Sequence, residues 1–276
     1  MKTICTITTY SHLAQTLALR DSVMPFCPDL TFNILITDKE DVSHLKQKNT
    51  HFFNLKDIEN AYLAGSIIKK YSHEKDKLRW CLKPVFLHFL LFNCGYSKAI
   101  YADNDIFFFN GFTFLFKDLD KKDVLLCPHW RCTRPGINKD WFLVNFTDGF
   151  YNAGFLAASN KASEPLKWWA ETCLFKCAKV YRKGLFDDQK YLDFMPLVFN
   201  NVGIIKHRGC NVAYWNQIDN KRTNVKDNVL INDEWEIIFI HFTKELIKAI
   251  KNKKEPLLAE HLDTYKLALE KYIDAV

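Results

Sequence analysis

The sequence predicts an α/β fold in which a mixed, mainly parallel sheet is flanked by helices and an amphipathic helix closes the chain. Three observations carry this. Thr3–Thr8 is a short β-rich run, His12 to Val23 has helical spacing of apolar residues up to Pro25, and Thr31–Thr37 is a continuous apolar strand; strand, helix, strand at this spacing is the opening βαβ unit of a parallel sheet. Further strand-length apolar runs follow at Lys98–Tyr101, Asp123–Cys127, Phe150–Ala158, Val202–Lys206 and Glu236–His241. Near the end, Leu258, Leu262, Tyr265, Leu269 and Ile273 recur at steps of three and four, which is one face of a helix.

The remaining elements fill the order. Residues 40–78 are polar and read as short helices and loops. Leu78–Phe92 is a strong helix with Lys83-Pro84 near its start, where proline is best tolerated, and Gly95-Tyr96 ends it. Residues 128–148 read as a long polar and aromatic loop, and Leu166–Val180 and Phe186–Met195 as helices.

Composition narrows the class. The 276 residues are enough for a sizeable core, and 48% hydrophobic with 25% charged residues describes a globular chain, not a disordered one. The net charge of +6 suits a phosphate-bearing ligand or an anionic membrane surface, and equally a solvated Lys-rich face. With no basic-aromatic array, nucleic acid is not an expected partner. Nine cysteines, an odd number without a CxxC pair, several inside apolar runs, read as buried free thiols in a reducing compartment, hence the cytoplasm. Met1–Ile7 is too short and polar for a signal peptide, and Val85–Phe92 is too short to cross a bilayer, so the protein is expected to be soluble or to rest on a membrane.

The chemistry concentrates where strands end. In parallel sheets ligands gather beyond the carboxyl ends of the strands, which places Thr8, Thr9, Tyr10 and Asp38 on that edge. Asp103-Asn104-Asp105 follows a buried strand directly, and two carboxylates two residues apart on extended backbone point to one side. Such a pair is costly without a cation between, and a hard divalent ion such as Mn²⁺ or Mg²⁺ takes oxygen ligands and bridges to a diphosphate; a turn rich in Asp and Asn is the plainer alternative. In Tyr151-Asn152-Ala153-Gly154 the small Ala-Gly pair admits a ligand to the backbone and Asn152 offers donor and acceptor, or the segment is an ordinary strand start. Asp187, Asp188 and Gln189 either cap a helix or approach a reacting sugar carbon. His241 ends a strand as a core histidine or a third metal ligand, with Lys244 and Lys83 as phosphate-neutralising candidates. Arg208–Asn216, with Tyr214 and Trp215, is a sugar-stacking wall or an aromatic plug.

Taken in order, Thr8-Thr9-Tyr10, Lys83-Pro84, Asp103/Asp105, Tyr151-Asn152-Ala153-Gly154, Asp188-Gln189, Asn211–Asn216 and His241 resemble the GT-A nucleotide-diphospho-sugar glycosyltransferases, especially bacterial family 8-like enzymes, from Ile4 to about Lys244. The resemblance implies a Rossmann-like nucleotide-binding half (1–110) fused to an acceptor-binding half (111–245), followed by a helical tail (246–276). It implies Mn²⁺ or Mg²⁺ on Asp103, Asp105 and His241, Asn152 and Asp188 at the donor sugar, and Gln189 close to the anomeric carbon. It also implies a UDP-sugar donor, transfer with retention to a glycan or lipid-linked acceptor, and a role in surface polysaccharide synthesis. The terminal helix would rest on a membrane, on the domain or on a second subunit. One departure stands out: Phe242-Thr243-Lys244 follows His241 where those enzymes place Gly and then Lys-Pro-Trp. A sugar-nucleotide pyrophosphorylase would need a glycine-rich loop after the first strand, which Thr8–His12 lacks. A non-catalytic nucleotide-sugar or glycan-binding protein of the same fold is the remaining alternative.

Overall fold

The computed structural model describes residues 1–226 and 228–273. In chain order its strands are β1 (Lys2–Thr8), β2 (Thr31–Ile36), β3 (Thr50–Phe53), β4 (Lys98–Ala102), β5 (Ile106–Phe108), β6 (Val124–Pro128), β7 (Tyr151–Ser159), β8 (Lys179–Val180), β9 (Leu185–Phe186), β10 (Val202–Ile204), β11 (Arg222–Val225), β12 (Asn228–Ile231), β13 (Trp235–Glu236) and β14 (Phe239–His241). The helices are α1 (Leu13–Val23), α2 (Leu55–Ile58), α3 (Ala64–Tyr71), α4 (Lys75–Phe92), α5 (Phe114–Asp118), α6 (Lys139–Asp148), α7 (Ser163–Phe175), α8 (Met195–Val198), α9 (Lys244–Lys251) and α10 (Ala259–Ile273).

Seven strands form the central sheet in the order β10-β6-β7-β4-β1-β2-β3. All neighbours are parallel except β7, which runs antiparallel to both β4 and β6. Alternation along the strands divides the core: Cys5, Ile7, Ala99 and Tyr101 face α4 and α7, whereas Ile4, Ile100 and Ala102 face the side of α1 and α5. A ribbon of β5 and β14 and a three-stranded sheet of β11, β12 and β13 lie beyond.

Several expectations are corrected. The helix expected from Leu78 begins at Lys75, and Pro84 is not near its start but the tenth of eighteen residues. The first turn is polar and paired, Lys77 with Glu74 and Arg79 with Asp76, so it shows no apolar periodicity. Interior proline costs about 3 kcal/mol; here it is offset by a helix that buries Leu78, Cys81, Leu82, Val85, Phe86, Leu90 and Leu91. Residues 128–148 are not all loop: Asn138 caps α6 by accepting from the Trp141 amide at 2.9 Å. The region 40–78 contains the edge strand β3 as well as helices. The helix expected to Val180 stops at Phe175, and the one expected over Phe186–Met195 is broken. Leu185-Phe186 pairs with β8, Asp187 takes φ +47°, and the Asp188 carbonyl accepts from Trp169 Nε1 at 2.9 Å, so these backbone groups bond outward and only a short 3-10 helix over Lys190–Asp193 forms in its place. The expected strand Glu236–His241 is two, because Ile238 N bonds Gly209 O at 2.9 Å between β13 and β14.

The amphipathic reading of the C-terminal helix holds, and its apolar face is used within the chain. Leu258, Leu262 and Tyr265 are buried with Phe107, Leu246 and Ala18 of α1, and the Tyr265 ring stacks on Phe242 at 4.5 Å and meets Phe107 edge-on. The Ile273 side chain, last of the apolar series, lies outside the described residues. Tyr265→Ala should lower unfolding stability by about 3–5 kcal/mol, as for other buried aromatics. Lys266→Ala, one residue away and half-buried with only a surface pair to Asp263, should change it by less than about 0.5 kcal/mol in the same denaturant titration.

Candidate active site

The sheet topology assembles the site. β1, β2 and β4 run parallel and deliver their carboxyl ends to one edge; β7 runs against β4, so its beginning reaches the same edge. Asp103, the first residue past β4, donates its amide to Gly154 O at 2.8 Å, which sets Asn152-Ala153-Gly154 beside the acidic pair. Asp105 leads into β5, and the antiparallel pairing of β5 with β14 places His241 opposite Ile106. Asp103, Asp105 and His241, whose approach the sequence left open, thus present one ligand atom each within 4.8 Å of one another.

Three features fit this group to a divalent cation. The donor set of two carboxylates and an imidazole suits Mn²⁺, with Mg²⁺ favoured less by nitrogen. His241 Nδ1 meets Asn211 Oδ1 at 3.2 Å; an amide oxygen there can only accept, so Nε2 is turned to the carboxylates, 3.0 Å from Asp105. Gly154 leaves the floor clear: a Cβ would stand 2.6 Å from Asp103 Oδ2, 2.6 Å from Asn152 Oδ1 and 2.8 Å from His241 Cε1. The carboxylates of Asp103 and Asp105 keep about 30% of their surface open to solvent, so a ligand can reach them.

Beneath them lies a second charged layer. Lys83 sits on α4, and its buried ammonium lies 3.5 Å from Asp103, 3.4 Å from Asp188 and 3.2 Å from Ala153 O, over the ring of Tyr101. Burial opposes the charge on Lys83, but the two carboxylates outweigh it and its pKa is raised. Asp188 is almost fully enclosed, and burial pushes its carboxyl up to about 6 against the pull of Lys83. Its Oδ2 has no hydrogen bond despite the nearby ammonium, so the pairing is electrostatic and poorly aligned. Tyr101 donates its hydroxyl to Asp103 Oδ1 at 2.7 Å. For His241, burial again opposes charge, yet Asp105 and Asp103 raise its pKa, while His241 outweighs burial to lower that of Asp105. Two bases thus balance the carboxylates.

The other sequence candidates are distributed as follows. Asn152 accepts from the Gly154 amide at 2.9 Å and meets His129 Nε2 at 3.2 Å; Gln189 accepts from the Ala153 amide at 3.2 Å and donates to Asp148 O at 2.9 Å. Thr8 Oγ1 accepts from Asn104 Nδ2 at 3.1 Å, and the Tyr10 amide donates to Asp38 at 2.7 Å, tying the ends of β1 and β2 together. Thr9 Oγ1 lies 2.7 Å from His12 Nδ1. Asp38 lines a cavity of about 400 Å³ with Thr37, Lys39, Asn54 and Lys56. Lys244 is exposed at the first residue of α9. Trp215 is wedged edge-on between His129 and His241, at 5.5 and 5.2 Å. Sequence reasoning did not single out His129, nor the role of Asn211 as partner of His241. His129 follows β6 without any motif of its own, Asn211 opens the Asn211–Asn216 segment, and only the β6–β7 pairing and the bridge of Val212 to Ile240 of β14 bring them to the site.

No protein-family model matches the chain. The uncharacterized protein YfnF of Bacillus subtilis is 28% identical over 257 residues, covering 91% of this chain and 84% of that protein. Among solved structures, mouse xyloside xylosyltransferase 1 superposes with a TM-score of 0.55 at 11% identity, over 89% of this chain and 99% of that one. The galactosyltransferase LgtC, solved with donor and acceptor sugar analogues, gives 0.51 at 17% identity over 94% and 96%. The fold is GT-A.

The buried layer generates a stability test. Lys83→Met removes the cation between Asp103 and Asp188 and should cost about 3–5 kcal/mol at pH 7.5. The penalty should shrink as pH falls through about 6 and below, where the stranded Asp188 carboxyl takes a proton. In the unsubstituted protein the raised pKa of Asp188 contributes stability that is present below about pH 4 and lost as pH rises through about 6. Asp188→Asn should remove that part of the slope in urea titrations between pH 4 and 7.5.

Proposed function

We propose that this chain is a divalent-metal-dependent glycosyltransferase that moves a sugar from a nucleoside-diphosphate donor, a UDP-sugar, to a glycan or lipid-linked acceptor, with retention, in surface polysaccharide synthesis. The observation that carries this reading is the Asp103–Asp105–His241 group on the carboxyl edge of a GT-A sheet. The free cysteines support a reducing compartment, the cytoplasm. No helix among the described residues is long and apolar enough to cross a membrane.

The chemistry is divided among residues as follows. Asp103, Asp105 and His241 Nε2 would hold Mn²⁺ or Mg²⁺, which would supply charge neutralisation for the diphosphate leaving group. Asn211 holds His241 in the ligating tautomer. Thr8, Thr9, Tyr10 and Asp38, with the cavity beside Asp38, receive the nucleoside on the β1–β2 side. Lys83 lies 3.5 Å below Asp103 and donates to the Ala153 carbonyl, so the floor under the donor sugar is held from beneath. Asn152 and Gln189 each spend part of their capacity on the backbone of residues 153–154; the second amide hydrogen and second lone pair of each remain for sugar hydroxyls and the anomeric centre. Asp188, poorly paired and close to Lys83, adds negative potential that favours an oxocarbenium-like centre. Lys244, exposed just beyond His241, neutralises phosphate from the open side.

Isothermal titration with UDP, GDP and CMP, each with and without Mn²⁺, tests the reading. Metal-dependent binding of UDP alone is expected, with Asp105→Ala abolishing the metal dependence and Asn211→Ala weakening it about 10–100-fold. Absence of any metal-dependent nucleotide binding by the folded protein overturns it. Binding of a UDP-sugar without release of UDP in the presence of acceptor glycans would leave the non-catalytic binding protein instead.

A further inference from the structure

The apolar surface this chain leaves open lies on one side. Of the thirteen large hydrophobic side chains that stand exposed among the described residues, ten fall between residues 137 and 204, a quarter of the chain. They line up in space. Rings of Phe142, Phe146 and Phe150 follow one another at 5.3 and 6.0 Å along and beyond α6. The Phe150 amide is held by Asp193 at 2.8 Å, and from there Phe194, Leu197 and Val198 continue the exposed series along α8. β9 packs against α6, so the tip of its hairpin, carrying exposed Tyr181, adjoins the same face. Leu197 is 82% and Phe146 54% exposed. Summed over Leu143, Phe146, Phe150, Phe194, Leu197 and Val198, the fractional exposures correspond to about 500–650 Å² at roughly 150–200 Å² per side chain, at or above the largest patch of an ordinary monomer. α6 has no fully buried residue, although five of its ten are Trp, Phe, Leu or Val.

Charge says what covers this face. Between residues 134 and 150 and between 181 and 198, the exposed charged residues are Arg134, Lys139, Arg182, Lys183 and the single acid Asp140. None of the four cations takes part in an ion pair among the described residues, whereas the intermediate Lys190 is paired with Asp193. A two-fold contact between copies would bring such cationic rims together. A flat anionic surface with an apolar interior satisfies both parts. The α10 helix does not compete for the role, since its apolar face is packed on α1 and the exposed Leu267 stands alone there.

We propose that the face formed by α6, Phe150, α8 and the β8–β9 hairpin docks on an anionic lipid bilayer. Asp148 at the end of α6 accepts from Gln189, and Phe150 adjoins Asn152, so docking there seats the acceptor side of the site on the headgroups. This last step rests on the glycosyltransferase reading and assigns the acceptor to the lipid-anchored class; the docking itself does not depend on it.

Sedimentation with vesicles of phosphatidylcholine alone and with 30% phosphatidylglycerol tests the docking without nucleotide. The unsubstituted protein should pellet with the anionic vesicles and be released by 0.5 M NaCl to the level seen with the neutral ones. Phe146→Ser with Leu197→Ser should lower the partition coefficient at least about tenfold. Arg182→Glu with Lys183→Glu should do the same on anionic vesicles only. All these side chains are exposed, so both variants should fold and keep UDP titration with Mn²⁺ unchanged, which separates this test from that of the activity. The proposal fails if the unsubstituted protein stays in the supernatant, or if the apolar variant pellets like it. It fails too if light scattering shows a dimer that the apolar variant abolishes while neither binds vesicles, which would assign the face to a second copy of the chain.

Discussion

The buried ammonium of Lys83 is the interaction on which the rest of the site depends. Asp103 and Asp188 come from opposite parts of the chain, one after β4 and one after β9, and no hydrogen bond joins them directly. Lys83 reaches both and also the Ala153 carbonyl, so a single cation ties α4, β4, β7 and the segment after β9. Like carboxylates at this spacing repel in a low-dielectric interior unless a positive charge lies among them. That requirement explains a buried lysine in the middle of α4. The ammonium must stand at this depth beneath the sheet edge, and the apolar faces on either side of Pro84 hold the helix in register around it.

The upper layer repeats the same logic with a different cation. Asp103 and Asp105 are partly open to solvent, with His241 across from them, and the two carboxylates raise the pKa of its buried imidazole. The antiparallel strand β7 is equally necessary. Were it parallel to β4, its start would lie at the opposite edge, and Asn152, Gly154 and the contacts of Gln189 would be lost to the site.

The two surfaces rich in apolar residues in the second half of the chain have different fates. α10 spends its apolar face on α1 and on Phe107 and Phe242, completing a third hydrophobic cluster. α6 buries none of its residues fully, and its exposed rings join those around Phe150 and α8. Helical amphipathicity alone leaves the first of these open between a membrane, the domain and a second subunit, and the packing places it on the domain. The packing assigns the open face to the second.

What was legible in the residues themselves follows from local rules. Continuous apolar runs and three-four spacing specify strands and helices because their side chains must be covered, and the Asp103/Asp105 pair is readable because two carboxylates on one side of a strand end call for a cation. The GT-A order of motifs was therefore visible without coordinates. Proline in mid-helix and the break at Asp187 were not, since both are decided by distant partners: the neighbours that cover the faces around Pro84, the bond of Asp187 to Ala178 and that of Trp169 to Asp188. The helix within 128–148 is capped locally by Asn138 but has no fully buried residue to set an apolar period. Nor could His129 be singled out, or Asn211 be given its role as partner of His241, because both roles arise from strand pairings far apart in sequence. The sequence by itself determined which groups could do chemistry and on which edge of the sheet they gather. Only the tertiary structure decided which carboxylate shares which cation, because charge balance in a buried site depends on distances of a few ångströms that no spacing along the chain encodes.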